Sequence, residues 1–294
     1  MPKLRQKCWS RCGKESSLDL IREQQRRNSQ AADAWSLYAS HRDRVTQLLL
    51  TARTADSDRL LLLGAGNAND FDLSKLLKTY REVVLTDLDV SSLENGLARQ
   101  GLAANDRIRI IAPVEITGIF AELSSLDRAV AADDEFINRC LKTLAQHPAM
   151  TVGSEFGVVG SVGLLTQLIE AIVQSIGETH PRFWEVAAAV RAQHLRFLLN
   201  LTRPGGSAVL VTEVVSSDSC PDLTSISESG LSAFVRREIS ARNFFHGTNP
   251  AALQRFLETD PLTSSQLVAI RFTEPWLWQF VARTYAVYGV TLQK

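Results

Sequence analysis

The 294-residue sequence has no net charge, with 32 Lys and Arg against 32 Asp and Glu. That balance excludes a global field able to draw the chain to nucleic acid or to an anionic membrane. Cysteine is scarce: Cys8, Cys12, Cys140 and Cys220 are the only four. Cys8 and Cys12 make a CxxxC pair, but no second Cys or His pair follows at zinc-finger spacing, so no metal site is expected. Free thiols in a reducing cytosol are the simpler reading. No run approaches the ~18 apolar residues of a membrane span, and no apolar leader opens the chain. A cytoplasmic protein that meets no membrane is therefore expected.

What is there is ordinary in bulk and uneven in detail. An apolar share of 45% with 22% charged residues fits a globular protein. The length suits one large α/β domain or two modest ones, at ~100–200 residues each. Residues 1–30 hold eight basic side chains (Lys3, Arg5, Lys7, Arg11, Lys14, Arg22, Arg26, Arg27) against Glu15, Asp19 and Glu23. With Trp9 as its one bulky aromatic, the segment 1–29 reads as a flexible basic lead-in. Residues 30–294 then form one domain, with 217–265 as a late insertion placed to cover a substrate.

Helix and strand signals alternate from residue 31 onward. "AADAWSLYASHRDRVTQLLLTA" reads as helix, and "RLLLLGAG" as a strand buried on both faces. "FDLSKLLKTY" places Leu73, Leu76, Leu77 and Tyr80 on one helical face. "EVVLTDLD" is a second buried strand. "SSLENGLARQG" is a helix with Ser91 and Glu94 at capping-box spacing and Gly101 as its stop. "RIRIIAPVE" and "EFGVVGSVG" are the third and fourth strands, separated by a helical stretch over 121–147. Two apolar helices follow, and then the strand "SAVLVTEVV". Such repetition predicts a doubly wound, mostly parallel sheet with helices on both faces.

The end of the chain departs from that pattern. Residues 216–232 read as loop, and "NPAALQRFLE" as a helix with Asn249 at the N-cap and Pro250 after it. "QLVAIRF" and "TYAVYGVTLQ" are strands whose connection, "TEPWLWQF", is too short for a crossover helix. They should pair antiparallel.

The stretch "RLLLLGAGNANDFDL" carries the chemistry. Glycines after a first strand let the backbone turn sharply and let a ligand come close. Asp87 stands 23 residues after Gly64, near the ~20 of a dinucleotide fingerprint, where an acid accepts hydrogen bonds from ribose hydroxyls. A dinucleotide nevertheless fits badly. The sixth position of GxGxxG is Asn69, and Asp70 and Asp72 would repel a pyrophosphate at the start of the next helix. A nucleoside ligand with positive charge meets no such objection, and S-adenosylmethionine is one.

On these residues the sequence resembles the class I S-adenosylmethionine-dependent methyltransferases, as a divergent, bacterial-type member, over most of 30–294. "LLLLGAGNAND" looks like that family's first motif and "VVLTDLD" like its second. "FGVVGSVGLLTQL" is similar to the segment around its fourth strand. "HLRFLLNLTRPGGSAVLVTEV" resembles its late helix, turn and fifth strand, and the closing antiparallel pair matches too. The resemblance implies a seven-stranded sheet with an antiparallel C-terminal strand, and S-adenosylmethionine as cofactor. It places Gly64, Ala65 and Gly66 at the cofactor, with Asn67, Asn69 or Asp70 to contact its amino acid end, Asp87 and Leu88 at the ribose, Glu115 near the adenine and Ser161 at the fourth-strand exit. Leu62 stands where the family often has an acid, and Ala68 replaces the third small residue of its GxGxG. A non-catalytic protein retaining the fold, or a nicotinamide-dependent oxidoreductase, are the rival readings.

Methyl transfer from a sulfonium is a direct displacement, so positioning can supply most of the catalysis and no triad is required. The fourth-strand exit "SVGLLTQ" lacks the Asn-Pro-Pro-aromatic signature of amino-group methylation on planar bases, which disfavours nucleic acid. The acceptor is then a small molecule or a protein side chain. His41 either faces the pocket mouth with Tyr38 or caps a surface helix, and His246 lies in the late insertion, where a base would stand. His194 belongs to a helix core. Trp276, Trp278 and Phe280 read as core or hairpin cover rather than as a substrate cage.

Overall fold

The computed structural model describes residues 20–54, 58–127, 131–146, 153 and 155–294. Helices α1 (Leu20–Gln30) and α2 (Ala39–Thr51) precede strand β1 (Arg59–Leu63), in which Leu60 to Leu63 are all fully buried. Four successive leucines can be used this way only in a strand covered on both faces. Then come α3 (Leu73–Leu76), β2 (Glu82–Thr86), α4 (Val90–Arg99) and β3 (Ile108–Ile111). Helices α5 (Phe120–Ser125) and α6 (Asp134–Ala145) lead to β4 (Phe156–Val162), which is buried throughout. Helices α7 (Leu164–Ile176) and α8 (Phe183–Leu201) follow, then β5 (Thr202–Ser216). The last part holds a 3-10 turn (Pro221–Ser225), α9 (Glu228–Ser240), α10 (Pro250–Thr259) and α11 (Pro261–Ser264). Strands β6 (Ala269–Phe272), β7 (Trp276–Phe280) and β8 (Arg283–Gln293) end the chain.

One eight-stranded sheet runs β3-β2-β1-β4-β5-β8-β6, with β7 beside β6 along the same edge of β8. The first five strands are parallel, and β8 is antiparallel to β5, β6 and β7. Helices cover both faces over two apolar cores, one gathering α5 to α8 and the other α2, α3, α4 and β7. The chain reverses its direction of travel across the sheet between β1 and β4. Ligands of such sheets bind at the carboxyl ends beside that switch point.

Several elements differ from expectation. The lead-in read over 1–29 includes helix α1, whose Leu20 and Asn28 are buried; residues 1–19, with Cys8 and Cys12, lie outside the described residues. The helix read over 31–52 starts only at Ala39. The stretch 121–147 is two helices rather than one, and the loop read over 216–232 contains the start of α9. The Trp-rich connection forms β7 itself, through the alternation of Trp276 and Trp278 toward the core. Helix α4 is capped by Asp89, which accepts from the Ser92 amide, and not by Ser91. Cys140 and Cys220 are buried free thiols. Among the described residues no helix is long and apolar enough to cross a membrane, and no cluster of His, Cys, Asp or Glu could hold a metal ion.

Candidate functional site

The turn after β1 is built around an internal carboxylate. Gly64, Gly66 and Ala68 have φ of 65°, 48° and 51°, a region that costs an L-residue roughly 1–2 kcal/mol and glycine little. The Gly66 amide donates to Asp87 Oδ2 at 2.8 Å, and the Asp89 amide to Oδ1 at 2.9 Å. The Ala65 amide is taken by the Thr86 carbonyl at 2.9 Å. The amides that would cradle a phosphate are therefore spent inside the fold, and the negative charge they face is Asp87. Burial pushes the Asp87 carboxyl above its usual range, against the lowering effect of those amides.

The glycine missing from position 69 is supplied elsewhere. A Cβ on Gly96 of α4 would lie 2.3 Å from the Asn67 carbonyl oxygen, so α4 packs on the turn at van der Waals limit. Gly96→Ala must displace backbone and is expected to cost about 1–3 kcal/mol, read as a fall of several degrees in Tm. An unchanged Tm would mean that the turn is free to move away.

Asn67 and Asn69 anchor the turn rather than face outward. Asn67 Nδ2 donates to the Asn28 carbonyl at 2.6 Å, and Asn69 Nδ2 to the Ala31 carbonyl at 2.7 Å. Arg99 donates to Asn69 Oδ1 at 2.9 Å. Helix α1 is thereby laid across the site. Asn28 Nδ2 donates to Asp89 at 3.2 Å, and Arg27 pairs with Glu170 of α7 at 2.5 Å.

Two cavities meet at Gly64, Gln24 and Gln167. The smaller, about 40 Å³, holds Asp87, Leu88 and Glu115 under Gln24. Glu115 is engaged there as a cap, accepting from the amides of Thr117 at 2.6 Å and Phe120 at 3.4 Å. The larger, about 1250 Å³, spreads from Gly64–Asn67 past Gly163 to β5, β7 and β8. Ser161 is a correction: it is fully buried, lines neither cavity, and lies 2.9 Å from His194 Nε2 in the core. Burial drives the His194 imidazole down to about 4, so it stays neutral.

The remaining candidates separate cleanly. His41 is buried rather than at a pocket mouth: its Nδ1 accepts from Trp276 Nε1 at 3.1 Å, its ring stacks on Trp278, and Nε2 lies 3.1 Å from Asp70 Oδ1. His246 lines the large cavity, 3.1 Å from Glu178 and edge-on to Trp184. Trp276 is core, whereas Trp278 and Phe280 line the cavity. Leu62 is fully buried against Gly160 in the core that it shares with Leu49 and lines neither cavity, so an acid there would be buried without a partner. The cavity's carboxylates are Glu23, Asp70, Glu170, Glu178 and Glu213. Glu213 escaped the sequence reading; its only signal is one acid inside the apolar run "SAVLVTEVV".

No family model matches the chain, and no curated protein is similar to it in sequence. Among solved structures it is similar to the N-methyltransferase NodS from Bradyrhizobium japonicum in complex with S-adenosyl-L-homocysteine, at 10% identity over 94% of this chain and 99% of that one, with a TM-score of 0.47. An O-methyltransferase family protein from Burkholderia thailandensis is 14% identical over 93% of this chain, at a TM-score of 0.45, and this chain spans 60% of its length. Human N-acetylserotonin methyltransferase in complex with its S-adenosylmethionine is 12% identical over 94% of this chain and 57% of that one, at 0.44. Likenesses this distant assign no activity. The doubly wound, mostly parallel sheet closed by antiparallel strands is nonetheless the architecture that a resemblance to class I methyltransferases implies.

Proposed function

We propose that this chain binds S-adenosylmethionine and transfers its methyl group to a small molecule or a protein side chain. The observation that carries the reading is the Gly66–Asp87 contact of 2.8 Å at the switch point, opening onto a cavity whose carboxylates suit a cationic ligand. A pyrophosphate at the turn would meet amides already bonded within the fold and the Asp70 carboxylate beside them, which disfavours a nicotinamide dinucleotide. The sulfonium supplies a methyl group already activated for displacement. In this reading Gly64, Ala65 and Gly66 bring backbone close to the amino acid end, while Asn67 and Asn69 hold the turn. Each Asp87 oxygen keeps a lone pair for a ribose hydroxyl, and Leu88 and Glu115 flank the base. Ser161 takes no part.

The volume of about 40 Å³ at Asp87 is far below the ~300 Å³ at which ligand pockets begin. It favours a second reading, a non-catalytic protein of the same fold, unless α1 lifts from Asp89 and Glu170 on binding. Calorimetric titration with S-adenosylhomocysteine separates the two. Saturable binding is expected, with none for NAD. No heat and no thermal shift at millimolar ligand would leave the second reading.

A further inference from the structure

The large cavity has a wall that is aromatic and acidic together. Tyr38, Trp278, Phe280 and Tyr285 face it, with ring centroids 5.3 Å apart for Tyr38 and Trp278 and 5.4 Å for Trp278 and Tyr285. Trp278 is 7% exposed, yet its indole N–H has no partner among the described residues. Glu213, also 7% exposed, enters the same space from β5. Thr166 donates to its Oε2 at 2.6 Å, and no cation is paired with it among the described residues. Asp70 and Glu170 face it from the glycine turn and from α7 and deepen the negative potential. The other charged groups around the cavity have partners: Arg26 with Glu23 at 2.6 Å, Arg27 with Glu170 at 2.5 Å, His246 with Glu178 at 3.1 Å, Arg283 with Asp218 at 2.8 Å. A buried carboxylate without a counter-charge costs free energy until a ligand brings a cation. Ring faces attract the same charge.

We propose that the methyl acceptor is an amine bound as its ammonium ion, with Glu213 as counter-ion and proton acceptor and Tyr38, Trp278 and Tyr285 as its wall. The assignment deepens the methyltransferase reading and rests on it. Burial, aided by Asp70 and Glu170, lifts the Glu213 carboxyl to about 7, where a group exchanges protons readily near neutral pH. The Glu213 carboxylate takes one proton from the ammonium. The freed nitrogen lone pair then forms the bond to the methyl carbon as the carbon–sulfur bond breaks, its electron pair staying on sulfur. The products are a methylated ammonium and a neutral thioether, and the proton on Glu213 passes to water.

Three probes matched in ring and length test the site by calorimetry and tryptophan fluorescence: 2-phenylethylamine, 2-phenylethanol and 3-phenylpropanoate. The amine is expected to bind at least about tenfold more tightly than the alcohol, the worth of one charge-assisted contact, and the propanoate least. Glu213→Gln should erase that preference and leave S-adenosylhomocysteine affinity within about threefold; Glu213→Asp, which keeps the charge, should restore part of it. Equal binding of amine and alcohol, or an unchanged preference in the Gln variant, overturns the proposal. So does a Gln variant that loses S-adenosylhomocysteine along with the amine, since Glu213 would then serve the cofactor's own cation. If S-adenosylhomocysteine fails to bind while the amine preference holds and depends on Glu213, the amine site stands and the methyltransferase reading falls.

Discussion

Asp87→Asn is expected to weaken S-adenosylhomocysteine binding by about a hundredfold, the equivalent of a buried charge-assisted hydrogen bond or two. The carboxylate does two jobs with four lone pairs. It accepts the Gly66 amide at 2.8 Å and the Asp89 amide at 2.9 Å, which fixes the turn against the end of β2. Its remaining capacity is what a ribose diol needs. An asparagine offers one acceptor oxygen and turns its NH2 toward the second backbone amide, so donor meets donor. One side of the clamp opens, and the ribose loses its charged acceptor. The fold should weaken as well, because an amide left unpaired in a site only 5% exposed costs about 1–3 kcal/mol. Calorimetry at a temperature well below the variant's Tm separates the two effects. Unchanged affinity in a folded variant would remove Asp87 from the ribose even with the sheet intact.

The sheet was legible because its strands are periodic in a way that only burial explains. Leu60–Leu63 and Val83–Leu85 are apolar on consecutive residues and β4 is buried throughout, and the turn residues between them bear glycine or a cap. The elements that escaped have competing signals. Helix α9 begins in "SISESG", whose serines favour turns locally, and only Leu231, Phe234 and Val235 commit it to the core. Strand β7 is five residues inside a connection, and its pattern emerges only through pairing with β8. Helix α1 is polar by composition; its buried residues are Asn28 and Leu20, so the Asn67 amide that its Asn28 carbonyl accepts and the Asp89 and Glu170 carboxylates beneath it decide its place.

At the site, the backbone features were readable and the side-chain directions were not. Gly64, Gly66 and Asp87 meet as their spacing implied. Whether a strand residue faces the cavity depends on parity within the pleat. Ser161, one residue from the end of β4, turns toward His194, and Leu62 turns into the core. Asn67 contacts α1, which composition had marked as lead-in, and Asn69 the Ala31 carbonyl just past its end. Glu213 looked like part of a hydrophobic strand because only the opening of the cavity beside it distinguishes a functional acid from an error in the pattern.

Glu213→Gln should make the protein more stable above neutral pH, by up to about 3 kcal/mol. The sign follows from the direction of the shift. Burial raises the Glu213 carboxyl from 4.5 to about 7, so between those values the native state holds a proton that the unfolded chain has released. Stability therefore falls as pH rises through that window and stays low above it, where a charge sits unpaired in the wall. A glutamine carries no charge to desolvate, and its carbonyl can still accept the Thr166 hydroxyl that now lies 2.6 Å from Oε2. The two proteins should thus be nearly equal in stability near the lower end of the window and diverge upward from it. His194 contributes the opposite slope: with its imidazole at about 4 instead of 6.5, the native state binds fewer protons and gains stability as pH rises across that range. That slope is common to both proteins and cancels in the difference. Urea midpoints measured in pairs from acid to mildly alkaline pH read the difference directly. A gap that does not grow with pH, or a variant less stable at alkaline pH, would mean that Glu213 is not an unpaired buried acid. A gap that grows as expected, and then closes when 2-phenylethylamine saturates the unmodified protein, would tie the stored cost of that carboxylate to the cation it is built to receive.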